Sequence, residues 1–144
     1  MHAGQLLLFC ALASWELSWN INRALEASPV WGHIAWAIVP AAALALLGTR
    51  AERLPWPVRG RRSVYMTAAG APLALYLCAW IVFANVASNG NAAPLPYVPL
   101  LNPLDLAQLA AWLCVVAWLR GMKRLDIADY AGDNPILCLS LIHI

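Results

Sequence analysis

Charge is what this sequence has least of. Its 144 residues hold nine basic and seven acidic side chains, 11% of the total. A soluble domain carries about 25%, and a solvated shell cannot be built from so few charges. From Ser63 to Leu104 there is no charged side chain at all. Cysteine pairing is also missing: Cys10, Cys78, Cys114 and Cys138 are far apart and form no CxxC pair or His/Cys cluster, which excludes a signalled zinc site or disulfide framework. Glycine-rich phosphate loop, nucleophile elbow, HExxH and DNA-binding motif are absent too. The sequence therefore calls for no catalytic residue, no metal and no cofactor. His2, His33 and His143 are scattered and read as ordinary interfacial or terminal residues. A net charge of +2 is too small for a nucleic-acid surface.

What is present is apolar sequence in long blocks. Hydrophobic residues make up 62% of the chain, with a mean hydropathy of +0.66. Four blocks, at about 4–22, 30–47, 64–86 and 104–119, approach the roughly 20 residues a helix needs to cross hydrocarbon. Only helices satisfy their own backbone groups in lipid, so the expected fold is an all-α membrane protein with four transmembrane helices. The fourth block is short and calls for tilt, local thinning or anchoring by Trp118 and Arg120. At the N-terminus, residues 6–13 resemble the apolar core of a signal peptide. No lysine or arginine precedes them and the block runs on past Ala13, so a retained first span is expected.

The few charges say how the spans are threaded. Arg50, Arg53, Arg59, Arg61 and Arg62 lie between the second and third blocks, opposed by Glu52 alone, and Arg120, Lys123 and Arg124 follow the fourth. Both sites are cytoplasmic by the positive-inside rule, so both chain ends face inward. Trp15, Trp19 and Trp31 then fall near the outer interface and Trp56 and Trp118 near the inner one, where amphipathic rings belong. Trp36, Trp80 and Trp112 lie deeper and read as helix packing. Pro40 and Pro72 interrupt the second and third spans, each removing a backbone donor.

Two polar features stand out. Glu16 is the one carboxylate well inside a span, and Asn20 and Arg23 follow at offsets of four and seven, on one helix face. An intramembrane acid avoids lipid, and Glu16, near the outer end of its helix, is read first as structural. The second feature is the segment PLPYVPLLNPLD, Pro94 to Asp105, which carries no charge before Asp105. It reads as a proline-rich external loop between the third and fourth spans, packed on the outer helix ends or in the interface. Asn102, Pro103 and Asp105 occupy N-cap, N1 and N3 positions of the fourth helix. Glu16, Asn20, Arg23, Asn85, Asn102 and Asp105 are thus expected to converge in an outer polar cluster, with Glu16 paired to Arg23 or an amide.

The string Ser14, Trp15, Glu16, Leu17, Ser18, Trp19, with Pro94 to Ala107 reading PLPYVPLLNPLDLA, resembles the large bacterial membrane proteins of domain-of-unknown-function family 2339. The order of a basic loop, an uncharged third span ending near Asn85, an Asn/Gly turn and a proline-rich loop is similar as well. The resemblance covers roughly Leu6 to Arg120. It implies a bacterial inner-membrane location and many more than four spans, so that residues 1–138 would be an internal slice of a longer protein. It brings no established reaction. Leu139 to Ile144 resemble the in-frame translation of a transposon mosaic end used in sequencing libraries, so they are not counted as protein.

The sequence thus reads as a non-catalytic segment with a role in envelope assembly or transport. Its partners would be the lipid bilayer and further helices of the same protein, with no nucleic acid. A different class of reading is a membrane-embedded enzyme acting on lipid-linked or glycan substrates at the outer face, using Glu16, Arg23 and Asp105.

Overall fold

A computed structural model describes residues 3–24, 29–50, 53, 62–88 and 102–124. These form α1 (Ala3–Ala24), α2 (Pro29–Arg50), α3 (Arg62–Val64), a π-helical segment (Tyr65–Ala69), α4 (Gly70–Ala87) and α5 (Pro103–Arg124). The α3, π and α4 pieces are consecutive and make one rod. The proline-rich loop, the Arg59 and Arg61 cluster and the tail from Leu139 lie outside the described residues.

Among the described residues three helices are long and apolar enough to cross a membrane: Val30–Arg50, Tyr65–Ala87 and Pro103–Lys123. The last is longer than the expected 104–119 block and spans about 30 Å at 1.5 Å per residue, so it needs no special thinning of the bilayer. It begins where the sequence placed its cap. Asn102 Oδ1 accepts the Leu104 N–H at 3.3 Å and Asn102 O accepts the Leu106 N–H at 3.0 Å, while Pro103 at the first position has no N–H to leave unpaired. α1 is long enough at 22 residues. It is not among the three, because Gln5, Glu16, Asn20, Asn22 and Arg23 dilute its apolar sequence.

α2 is the central post, packed on α1, α4 and α5. Small residues make that possible, since helices in lipid gain little from burying apolar surface and associate by close contact. On α1 the buried residues Cys10, Ser14 and Ser18 recur every fourth position and form one narrow stripe. Ser18 Oγ donates to Gly32 O at 3.4 Å, and a Cβ at Gly32 would stand 2.6 Å from Asn22 Oδ1. α2 meets α5 more closely still. A Cβ at Gly48 would lie 2.7 Å from Trp118 Cα, and one at Gly121 would lie 2.5 Å from Gly48 O. Backbone therefore touches backbone there. The contact also sets direction: the C-terminal ends of α2, with Arg50 and Arg53, and of α5, with Arg120 and Lys123, share one end of the bundle.

The π segment sits just ahead of Pro72. A proline ring clashes with the carbonyl one α-helical turn earlier, and a π turn is the wider helix that relieves such crowding. In this turn the Gly70 N–H serves Tyr65 O and Thr67 O and skips Met66 O. Trp118 Nε1–H donates to that Met66 carbonyl instead, at 3.0 Å. The indole lies so close over Gly70 that a side chain there would collide with it. Trp118, read from sequence as an interfacial anchor, is a buried joint between α5 and the π segment.

Candidate functional site

Three residues of α2 and three of α4 face each other toward the end of the bundle opposite the basic ends. His33, Trp36 and Pro40 follow at offsets of three and seven, and Tyr76, Trp80 and Phe83 at four and seven, so each set lies along one helix face. Two hydrogen bonds lock the pair. Trp80 Nε1–H donates to His33 O at 3.0 Å, and Tyr76 O–H donates to Trp36 O at 3.2 Å. His33 and Phe83 meet edge to face, with ring centroids 5.9 Å apart at 84°. Trp36 and Trp15 of α1 meet in a T-shaped pair, with ring centroids 6.1 Å apart at 89°.

Between these rings lies a groove of about 450 Å³ lined by His33, Trp36, Tyr76, Ala79, Trp80 and Phe83. A deeper cavity of about 150 Å³ shares Trp36 and Tyr76 with it and reaches Cys10 and Ser14 of α1 and both Pro40 and Pro72. Among the described residues two buried side-chain polar atoms have no hydrogen-bond partner, Ser14 Oγ and His33 Nδ1; their residues border the deeper cavity and the groove, but the atoms themselves are closed off from both. Ser14 is only 1% exposed. A helical serine ordinarily bonds back to the carbonyl four residues earlier, and buried polar groups are nearly always paired, so both atoms call for explanation. No carboxylate and no lysine or arginine lines either space. Among the described residues no group of three or more His, Cys, Asp or Glu could hold a metal ion.

The residues singled out from sequence fall into two groups. On α1, Asn20 Nδ2–H donates to Glu16 Oε1 at 2.9 Å and to Glu16 O at 2.8 Å. Glu16, Asn20 and Arg23 are exposed, so inward placement of the carboxylate requires a further helix against that face. Between α4 and α5, Asn85 Nδ2–H donates to Ile81 O at 2.8 Å and to Gln108 Oε1 at 3.1 Å. Asn102 is buried in its capping position and Asp105 is half-buried in the first turn of α5. The hydrogen bonds of Glu16 close on α1 itself, and those of Asn85 close on α4 and α5.

Sequence reasoning passed over His33 as one of three scattered histidines and over Trp36 and Trp80 as packing. A signal was there: each helix with an internal proline also carries an aromatic stripe at helical spacing, and Tyr76 sits where the break at Pro40 leaves the Trp36 carbonyl in need of a donor. Gln108, the partner of Asn85, was likewise not singled out.

The family model described as predicted membrane protein (DUF2339) matches residues 1–142. No curated protein and no solved structure matches the chain.

Proposed function

Because the chain belongs to the DUF2339 family of predicted membrane proteins, we propose that it is a non-catalytic, four-helix transmembrane segment of a larger bacterial inner-membrane protein. Its role in this reading lies in envelope assembly or transport. The observation that carries the proposal is how the interior polar groups are spent. Trp118, Trp80 and Tyr76 each bond a backbone carbonyl of another helix, and Asn85 bonds Gln108 across α4 and α5. These contacts join helices and build no acid–base pair.

The shared end of Arg50, Arg53, Arg120 and Lys123 supports a threading with that end in the cytoplasm. α1 then serves as the fourth crossing, and the Asn20 amide lowers the cost of its carboxylate. A charged acid at the centre of a spanning helix costs roughly 2.5–3.5 kcal/mol, and less near the interface. Large side chains on the outside, among them Leu8, Phe9, Leu12, Leu75, Leu109 and Leu113, suit lipid or neighbouring helices of the same protein. The six outer polar residues serve this reading as packing and capping groups. An enzyme using Glu16, Arg23 and Asp105 is the lesser reading, because Glu16 is bonded to Asn20 on an exposed face and Asp105 belongs to a helix cap.

Recovering the complete coding sequence tests this. Further apolar helices on the same reading frame are expected. A soluble catalytic domain, or a catalytic motif facing the outer ends of α1 and α5, would replace the proposal with the enzyme reading.

A further inference from the structure

We propose that the outward face of α1 is a docking surface for a further transmembrane helix of the full-length protein, one that carries a lysine or arginine level with Glu16. This deepens the four-helix reading, since it requires α1 to cross the bilayer. Gln5, Phe9, Leu12, Glu16, Trp19 and Arg23 recur along α1 at offsets of four, three, four, three and four. That alternation is the spacing of a helix seam, and all six side chains are exposed. At about 3.6 residues per turn the seam runs down the side of α1 opposite the buried stripe of Cys10, Ser14 and Ser18.

The chemistry of the seam selects its cover. Asn20 Nδ2–H donates to Glu16 Oε1 at 2.9 Å, which leaves Oε2 to accept from a group outside the bundle. A carboxylate turned to lipid is costly, and acids inside spanning helices pair or face protein. Arg23 stands two turns, about 10 Å, further along the same helix. Arg50, Arg53, Arg120 and Lys123 gather at the opposite end of the bundle. An acyl chain offers the carboxylate no donor, and an anionic head group meets it with like charge. A second copy of the chain fails for the same reason. Copies inserted the same way bring α1 against α1 in parallel, which sets Glu16 on Glu16 and Arg23 on Arg23, and like charges repel. A cation on a different helix is what the seam lacks.

The shape of the seam suits a helix as well. Phe9, Leu12 and Trp19 are 60%, 62% and 56% exposed and stand on either side of Glu16 along the seam. Packed against a facing helix, they close the ion pair off from lipid. Glu16 lies just past the middle of α1 (Ala3–Ala24), about 4 Å toward its C-terminal end at a rise of about 1.5 Å per residue. A lysine stem spans that distance from the middle of a facing helix. In the full-length protein the polypeptide joins the two helices, so the contact forms at high effective concentration and tolerates a modest loss at Glu16.

The test uses the full chain in phosphatidylcholine nanodiscs, with oligoleucine transmembrane peptides as probes and energy transfer between labelled chain and labelled peptide as the readout. One peptide carries a single central lysine and the other is leucine throughout. The lysine peptide should associate about threefold to tenfold more tightly, the range expected for one polar contact between helices in lipid. Glu16→Gln should remove most of that preference, and Glu16→Lys should transfer it to a peptide with a central glutamate. Leu12→Ala should weaken both peptides, whereas Leu113→Ala, on the outside of α5, should change neither. Equal binding of the lysine and leucine peptides would overturn the proposal, as would a lysine preference that survives Glu16→Gln. Disulfide cross-linking of two chains through Trp19→Cys would overturn it too, by assigning the seam to a second copy. The four-helix reading fails on a different result, an exterior signal from a reporter fused before α1, so the two failures are told apart.

Discussion

The hydroxyl of Tyr76 donates to the carbonyl oxygen of Trp36 at 3.2 Å, and Trp36 stands four residues before Pro40, which has no N–H to give it. An α-helical carbonyl at that position loses its donor when proline follows one turn later. In lipid no water replaces it, so a neighbouring helix must. α4 supplies the replacement.

The relationship predicts a coupling between two residues that are not in one helix. Tyr76→Phe should destabilise the bundle by about 1 kcal/mol, the usual net worth of a hydrogen bond. In a Pro40→Ala background the Trp36 carbonyl regains a backbone donor, so the same substitution should cost measurably less. A double-mutant cycle by reversible unfolding in mixed micelles reads the difference. Equal losses in both backgrounds would show that Tyr76 acts only through packing.

The crossing of α2 and α5 predicts a contrast between glycines. Gly48→Val places branched carbon against the backbone of Trp118 and should cost about 3 kcal/mol or more, beyond ordinary overpacking because backbone cannot rotate away. Gly4 has nothing within 4 Å of an added Cβ. Gly4→Ala should therefore be neutral or up to about 1 kcal/mol stabilising, since alanine favours helix. The same micelle unfolding assay compares them, and similar losses at the two sites would contradict the close crossing.

How much of this was legible in the sequence depends on which residues are asked. Asn102 and Pro103 fixed the start of α5 because a cap is a local signal. The apolar block expected at 64–86 matches the candidate span Tyr65–Ala87 because the sequence on either side of it changes character sharply. α2 runs past the expected residue 47 to Arg50, with Thr49 Oγ1 donating back to Ala45 O at 2.7 Å in its last turn. Helix pairing was not legible. A helix in lipid is apolar on every face, so hydropathy does not mark the face that meets a neighbour. The π turn was hidden for a related reason: Pro72 announces a break but not its form. The aromatic groove was missed because Trp36 and Trp80 carry the same sequence signal whether they fill space or border it.

Glu16 is bonded to Asn20 and exposed. Glu16→Gln keeps the side-chain oxygen that the Asn20 amide reaches and removes the charge. A structural role predicts normal abundance of the full-length protein and an unchanged cellular phenotype, read by immunoblot and by complementation of a deletion strain. A lost phenotype at normal abundance would assign the carboxylate a proton, ion or substrate role.

The proposed threading, with the basic end of the bundle inside, is measured directly by reporter fusions. Fusions before α1, after Leu54 and after Lys123 should report cytoplasm, and a fusion at Asn91 should report the exterior. An exterior signal before α1 with the other three unchanged would show that α1 lies outside the membrane and reduce the crossings to three. An exterior signal after Leu54 or after Lys123 would contradict the threading itself.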